Sequence, residues 1–251
     1  MTVILDFSRG GGYNRRMRRK LQEAIMSTPD LPSGFTECEY LEFSGTQYLR
    51  PYLQCQGLSI YFKTEITGTG KLVGLYNVSN GEGYTAHMAT NSRGIGVNVG
   101  VYFKRNGAQV SYGVGNYDRQ IGSIFEGEIN WNEQYAQYWI DTTETKRAVI
   151  DIGTGFEYGL NEIAIGKQNT VAKNDAFNTV QLQSSLRTKL MVFKAWYEAG
   201  TLTRDFVPVL DADGVPCMYD KASNQCFRNL GKGTFGYKIK ATGEVVAPVS
   251  S

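Results

Sequence analysis

The spacing of apolar residues changes period once along the chain. Between Tyr13 and Ser27, Met17, Leu21, Ala24 and Ile25 recur at the i, i+4, i+7, i+8 spacing that lines one face of a helix. Arg15, Arg16, Arg18, Arg19 and Lys20 occupy the other faces, so residues 14–27 are predicted to form a basic amphipathic helix. Gly10-Gly11-Gly12 before it reads as a flexible joint. Thr28-Pro29-Asp30-Leu31-Pro32-Ser33-Gly34 after it reads as a linker, because residues preceding proline are pushed out of the α region. From Phe35 the period is two. Leu58–Ile66 alternates, Gly68-Thr69-Gly70 turns, and Lys71–Tyr76 returns. Tyr84–Ala89 and Ile95–Lys104 follow, and Asn106-Gly107 between Phe103 and Val110 is the dipeptide of a type I′ hairpin. Ser123–Trp131, Tyr135–Ile140, Arg147–Ile152, Asn161–Gly166 and Val180–Gln183 add further short strands.

The stretch from Lys189 to Phe235 reads as a continuous meander. Leu190–Tyr197 is apolar on both alternating faces, which predicts a strand packed on both sides with Trp196 in the core. Leu202–Leu210, Val215–Tyr219 and Gln225–Asn229 follow, joined by the turns Asp211–Gly214 and Asp220–Asn224. The tail after Lys240 is expected to be extended and loosely held.

Composition supports short strands and tight turns: the chain of 251 residues has 29 Gly, 16 Tyr and only 6 Pro. No run is apolar for the length a membrane helix needs, and Met1–Phe7 is interrupted by Asp6 too early for a signal sequence, so the chain is expected to stay in the cytoplasm where it is made until assembly or lysis. Four cysteines are too few for a disulfide framework; Cys217 and Cys226 flank the Asp220–Asn224 turn as reduced cross-strand neighbours. The net charge is only +2, yet five cations crowd into residues 15–20. Like charges so close repel one another, which favours docking of this helix on an acidic surface.

Motifs of the common enzyme classes are absent. The single histidine, His87, lies between apolar neighbours on a predicted strand and reads as a structural side chain. Glu126-Gly127-Glu128 has the spacing two that places carboxylates on one strand face, but no third carboxylate follows, so the pair is expected to face solvent at a strand end. Asp211-Ala212-Asp213-Gly214 starts like a calcium loop but lacks the distal glutamate, so neither metal nor cofactor is expected.

Two segments resemble a known family. Tyr40-Leu41-Glu42-Phe43-Ser44-Gly45-Thr46-Gln47-Tyr48-Leu49 is similar to the opening strand, and Asp205–Leu210, Gly214–Asp220 and Asn229-Leu230-Gly231-Lys232-Gly233-Thr234-Phe235 are similar to the closing motif, of laminin-G-like (concanavalin A-like) jelly rolls found in structural proteins of tailed bacteriophages and prophages. Ile129–Trp131 with Tyr138–Asp141 resembles the central hairpin of the same fold. The resemblance implies an all-β, antiparallel two-sheet jelly-roll sandwich over residues 35–240, preceded by a helical arm (1–34) and followed by a tail (241–251). It also implies a non-enzymatic virion protein, present in several copies, serving as capsid decoration, head fibre or tail appendage. The arm is then the anchor to other virion proteins, with Arg15, Arg16, Met17, Arg18, Arg19, Lys20, Leu21, Ala24 and Ile25 as docking residues and nucleic acid the less favoured partner, because the helix also carries an apolar stripe. The alternatives are a carbohydrate-binding host-recognition module, which requires an exposed aromatic platform, and a glycoside hydrolase of the same fold.

Overall fold

Alternating apolar residues build two sheets that share one core. The computed structural model describes residues 31–68, 70–77, 82–90, 97–105, 108–112, 122–130, 135–140, 143–149, 160–172, 175–178, 182, 187–197 and 201–250. The chain divides into two units, Met1–Leu31 and Pro32–Ser251, and the structure below belongs to the second. Its strands are β1 (Thr36–Ser44), β2 (Ser59–Ile66), β3 (Gly70–Asn77), β4 (Glu82–Thr90), β5 (Val97–Arg105), β6 (Ala108–Tyr112), β7 (Ile124–Asn130), β8 (Tyr135–Ile140) and β9 (Thr143–Val149). They continue as β10 (Ala164–Ile165), β11 (Gln168–Val171), β12 (Arg187–Trp196), β13 (Leu202–Leu210), β14 (Pro216–Asp220), β15 (Gln225–Arg228), β16 (Gly236–Ile239) and β17 (Val245–Val246).

Among the described residues, one sheet has eleven strands in the order β15-β14-β13-β1-β12-β2-β7-β8-β9, with β16 added beside β1 and β17 beside β16. The other has six, β10-β3-β4-β5-β6 with β11 beside β3. Pairing is antiparallel except for β11, which runs parallel to β3. Leu41, Phe43, Ile60, Phe62, Phe125, Leu190, Phe193 and Phe206 from the first sheet meet Leu72, Val73, Leu75, Ile165 and Val171 from the second in a continuous core. Two sheets closed over one core make the sandwich that the pattern predicts.

The opening and closing motifs meet in space. Asn229 accepts from Tyr48 N–H at 3.2 Å, and Leu230 N–H donates to the Tyr48 carbonyl at 3.0 Å. A Cβ at Gly231 would sit 2.1 Å from the Thr46 carbonyl oxygen, so only glycine lets the two motifs approach this closely.

Several expectations need correction. Leu190–Tyr197 is not packed on both sides: Leu190, Phe193 and Ala195 are buried, while Met191, Val192, Lys194 and Trp196 are half-buried. The reason is that β12 has the core on one face only, so its second apolar row covers the outer face. The run Gln168–Val171 carries no apolar alternation, yet forms β11, because its pairing to β3 buries Gln168, Asn169 and Thr170. The segment after Lys240 is tied down: Thr234 and Val249 exchange backbone hydrogen bonds, and Val245–Val246 pairs with β16. The predicted helix at 14–27 and the expected Asn106-Gly107 turn lie outside the described residues, as does nearly all of Val180–Gln183.

Candidate functional site

Beyond β1 the chain crosses from the larger sheet towards β10, and the sequence Leu49-Arg50-Pro51-Tyr52-Leu53-Gln54-Cys55 sorts itself by side. Leu49, Leu53 and Cys55 are wholly buried, whereas Arg50, Tyr52 and Gln54 face outward. The crossing is fixed by backbone bonds to the segment preceding and including β10. Leu49 and Ile165 exchange bonds at 3.0 and 3.1 Å, Ile163 N–H donates to the Leu53 carbonyl at 3.0 Å, and Cys55 N–H donates to the Asn161 carbonyl at 3.0 Å. Arg204 Nε donates to the Pro51 carbonyl at 3.0 Å, and the Tyr197 hydroxyl donates to the Gln54 carbonyl at 3.0 Å.

On the outer side stands a ladder of rings and cations. The Arg50 guanidinium lies 4.6 Å from the Tyr52 ring centre and 4.8 Å from that of Phe177. Phe177 stacks on Tyr48 with centroids 6.2 Å apart, and Lys167 Nζ is 5.6 Å from the Tyr48 ring. Glu162 clamps Arg50 from the side, accepting from Nε at 2.8 Å and from Nη2 at 3.2 Å. That hydrogen-bonded pair raises the guanidinium pKa further, against the opposing effect of burial. Burial likewise raises the Tyr48 phenol.

Buried amides hold the outer rung. Asn169 Nδ2 donates to the Glu162 carbonyl at 2.7 Å and to the Ala176 carbonyl at 3.1 Å. Asn161 Nδ2 donates to the Asp175 carbonyl at 2.6 Å, and Asn169 Oδ1 accepts from Asn178 N–H at 3.1 Å. The loop bearing Phe177 is therefore set by side chains that are themselves fully buried.

Tyr52 is the exception in this otherwise satisfied arrangement. Its backbone sits at φ 54°, in the left-handed region that a bulky aromatic rarely adopts. Its side chain remains 56% exposed. An exposed ring resting on a charged planar group can stack against something flat and partly apolar.

The docking residues expected on the arm, Arg15, Arg16, Met17, Arg18, Arg19, Lys20, Leu21, Ala24 and Ile25, lie outside the described residues. His87 is on β4, with its backbone opposite Gly100 and Lys71. Glu126 and Glu128 do not face solvent at a strand end. They sit mid-strand in β7 between β2 and β8 and are only 8% exposed each, because flanking side chains such as Tyr61 and Lys63 cover them. Tyr61 donates to Glu126 at 2.9 Å, and Lys63 Nζ pairs with it at 3.2 Å. The Asp211 carboxylate is used internally, accepting from Asp213 N–H and Val215 N–H at 3.0 Å each and from Arg228. Cys217 and Cys226 are free thiols offset across the hairpin, with Cys217 opposite Arg228 and Cys226 opposite Tyr219. Burial, with Cys226 alongside, pushes the Cys217 thiol well above its ordinary value.

Arg50, Tyr52, Glu162 and Phe177 escape the sequence reading. The signal that could have found them is the inward alternation of Leu49, Leu53 and Cys55, which leaves Arg50 and Tyr52 together on the other side.

No family model and no curated protein matches this chain. Among solved structures it is similar to domains LG4-5 of the mouse laminin α1 chain, at 10% identity and a TM-score of 0.40 over 85% of this chain and 49% of that one. It thus spans about half of the laminin structure. It is also similar to the heptameric SAP-like pentraxin of Limulus polyphemus, at 12% identity and a TM-score of 0.36 over 66% and 76% of the two chains. A third similar structure is a candidate carbohydrate binding protein from Bacteroides ovatus, at 9% identity and a TM-score of 0.48 over 85% and 62%.

Proposed function

We propose that this chain is a non-catalytic glycan-binding sandwich displayed on a larger particle, with the Tyr52–Arg50–Phe177–Tyr48 ladder as its sugar-facing surface. The observation that carries this reading is Tyr52, an exposed ring kept in a left-handed backbone conformation. Pyranose rings present apolar C–H faces to an aromatic plane, while their hydroxyls seek fixed donors and acceptors. Tyr52 supplies the plane, and the Arg50–Glu162 pair beside it supplies both kinds of polar partner in a rigid fork.

The absence of catalysis is part of the proposal. Glu126, the best placed carboxylate for glycoside hydrolysis, is engaged by Tyr61 and Lys63. Glu126→Gln and Glu128→Gln should leave glycan binding unchanged, and any polysaccharide turnover lost with either change would count against this reading.

Binding itself is tested by screening the full chain against a glycan array and measuring Tyr52→Ala on the best ligand. Losing one stacking ring should weaken the Kd by about 3–10-fold with little change in melting temperature. Retention of full affinity, or no retained glycan at all, would sink the site.

Display on a virion is proposed from the arm and from the family resemblance of the two motifs. The stripe Met17, Leu21, Ala24 and Ile25 would be buried on a capsid or tail protein while the surrounding cations meet carboxylates. Deleting residues 1–28 should leave a folded protein that no longer joins purified particles. Full incorporation of that truncated chain would move the anchor onto the sandwich.

A further inference from the structure

A second opening lies at the end of the larger sheet, on different residues from the ladder. There Ser44 at the end of β1 stands opposite Arg187 at the start of β12. The turn after β2 lies against the Arg187 stem, so closely that a Cβ at Gly68 would be 2.9 Å from Arg187 Cβ. Ser250 reaches in from the far side, its hydroxyl 2.7 Å from that of Ser44. Together with Glu42, Phe43 and Thr67 these residues line an open pocket of about 320 Å³.

Two of its polar groups are conspicuous. Thr67 Oγ1 is buried and, among the described residues, has no hydrogen-bond partner. A buried hydroxyl without a partner is uncommon and calls for an explanation. Arg187 is exposed, and among the described residues its guanidinium takes part in no ion pair. By contrast the neighbouring Lys189 is paired with Glu65 at 2.8 Å.

We propose that this pocket is a binding site for one neutral, polyhydroxylated unit of hexose size, separate from the Tyr52 ladder. The donor set decides the class. Glu42 offers only acceptors, Arg187 only donors, and the hydroxyls of Ser44, Thr67 and Ser250 can do either. The opposite charges of Glu42 and Arg187 largely offset one another for an ion of either sign, whereas a polyol can donate to the one and accept from the other without bringing a charge. The volume is at the lower end of the range for small-molecule sites, roughly 300–1,000 Å³, which suits a single sugar ring rather than a chain segment. A sugar hydroxyl would supply Thr67 Oγ1 with its missing partner.

The test follows backbone amide shifts of the full-length, isotope-labelled protein by NMR. D-Glucose, D-galactose and D-mannose are each titrated to concentrations on the order of 100 mM, enough to load a weak millimolar site. At least one should give saturable shifts at Ser44, Gly68, Arg187 and Ser250. Thr67→Val keeps the side chain's shape and should weaken that binding by about 3–10-fold, the worth of one hydrogen bond. Arg187→Met should do the same, and Tyr52→Ala should leave these shifts in place. Three hexoses without effect would mean that the pocket holds water only. Shifts produced by sodium sulfate instead would make it an anion site, and shifts lost in Tyr52→Ala would fold it into the ladder; each of these outcomes overturns the proposal. Failure of glycan binding at Tyr52, with hexose shifts intact here, would remove the function proposed above and leave this one standing.

Discussion

In the meander from β13 to β15 the chain takes positive φ at Gly214 (φ 76°) and Asn224 (φ 59°), whereas in the crossing from β1 to β2 it does so at Gly45 (φ 107°) and Gly57 (φ 70°) but also at Tyr52 (φ 54°). Glycine and asparagine accept that conformation at little cost, and Gly214 and Asn224 each occupy a hairpin turn. Asn224 goes further, closing its turn through a 3.0 Å bond from the Tyr219 hydroxyl. Local preference and global fold therefore agree throughout the meander. At Tyr52 they conflict, because a bulky aromatic rarely adopts this backbone region. Such local conflicts are where function is to be sought, because a fold tolerates strain only where something else holds it in place. Here Arg204, Tyr197 and the segment before β10 hold it.

The comparison is broken most severely by opening the meander's core. Phe193 is fully buried against Phe206, with ring centres 5.8 Å apart. Phe193→Ala should lower unfolding free energy by about 3–5 kcal/mol, measured by denaturant titration. Trp196→Ala, three residues on but half-buried, should cost only about 1–2 kcal/mol. Equal costs at the two positions would show that β12 is buried on both faces after all.

Next in size is the turn at Asp220, whose carboxylate is completely buried. It accepts from Asp205 N–H at 2.7 Å, Ala222 N–H at 3.1 Å and the Ser223 hydroxyl at 2.6 Å, with Arg204 at 3.6 Å. Asp220→Ala leaves several buried donors without partners and should cost about 2–4 kcal/mol. Since Arg204 also donates to the Pro51 carbonyl, this change should slacken the ladder too, which glycan affinity would report.

Asp211 sharpens the contrast through pH. Burial alone would raise its pKa, but the hydrogen bond from Arg228 and the N–H groups of Val215 and Asp213 outweigh burial and lower it. A lowered carboxylate stabilises the fold fully above its ordinary value, and that contribution is lost as pH falls through the folded-state value. Melting temperature should therefore decline between about pH 5 and pH 2, and Asp211→Asn should flatten part of that decline. An unchanged slope would mean that the turn's hydrogen bonds do not depend on charge.

The meander was legible because period-two alternation and turn chemistry both act between near neighbours. Asn106-Gly107 itself lies outside the described residues, but β5 and β6 pair from Arg105 and Ala108 on either side of it. What stayed hidden depends on distant partners. Gln168–Val171 becomes a strand only beside β3, and Glu126 is covered only because Tyr61 and Lys63 come from another strand. The ladder is assembled from Tyr48, Arg50, Tyr52, Glu162 and Phe177, whose proximity no local pattern encodes.

The smallest effect separates the strain at Tyr52 from its contacts. Tyr52→Ala and Tyr52→Gly both remove the ring, its contact with Arg50 and its edge against Phe227, 6.4 Å away between centres. What differs between the two variants is the backbone. Alanine keeps a Cβ that crowds the following carbonyl at φ 54°, while glycine does not. Part of that relief is offset by the larger freedom of glycine in the unfolded chain. Tyr52→Gly should accordingly be about 1 kcal/mol more stable than Tyr52→Ala, with both equally poor at binding glycans. A glycine variant less stable than the alanine variant would mean that the crossing carries no strain at this position. Tyr52 would then be an ordinary exposed side chain, and the structural argument for a site there would lose its footing.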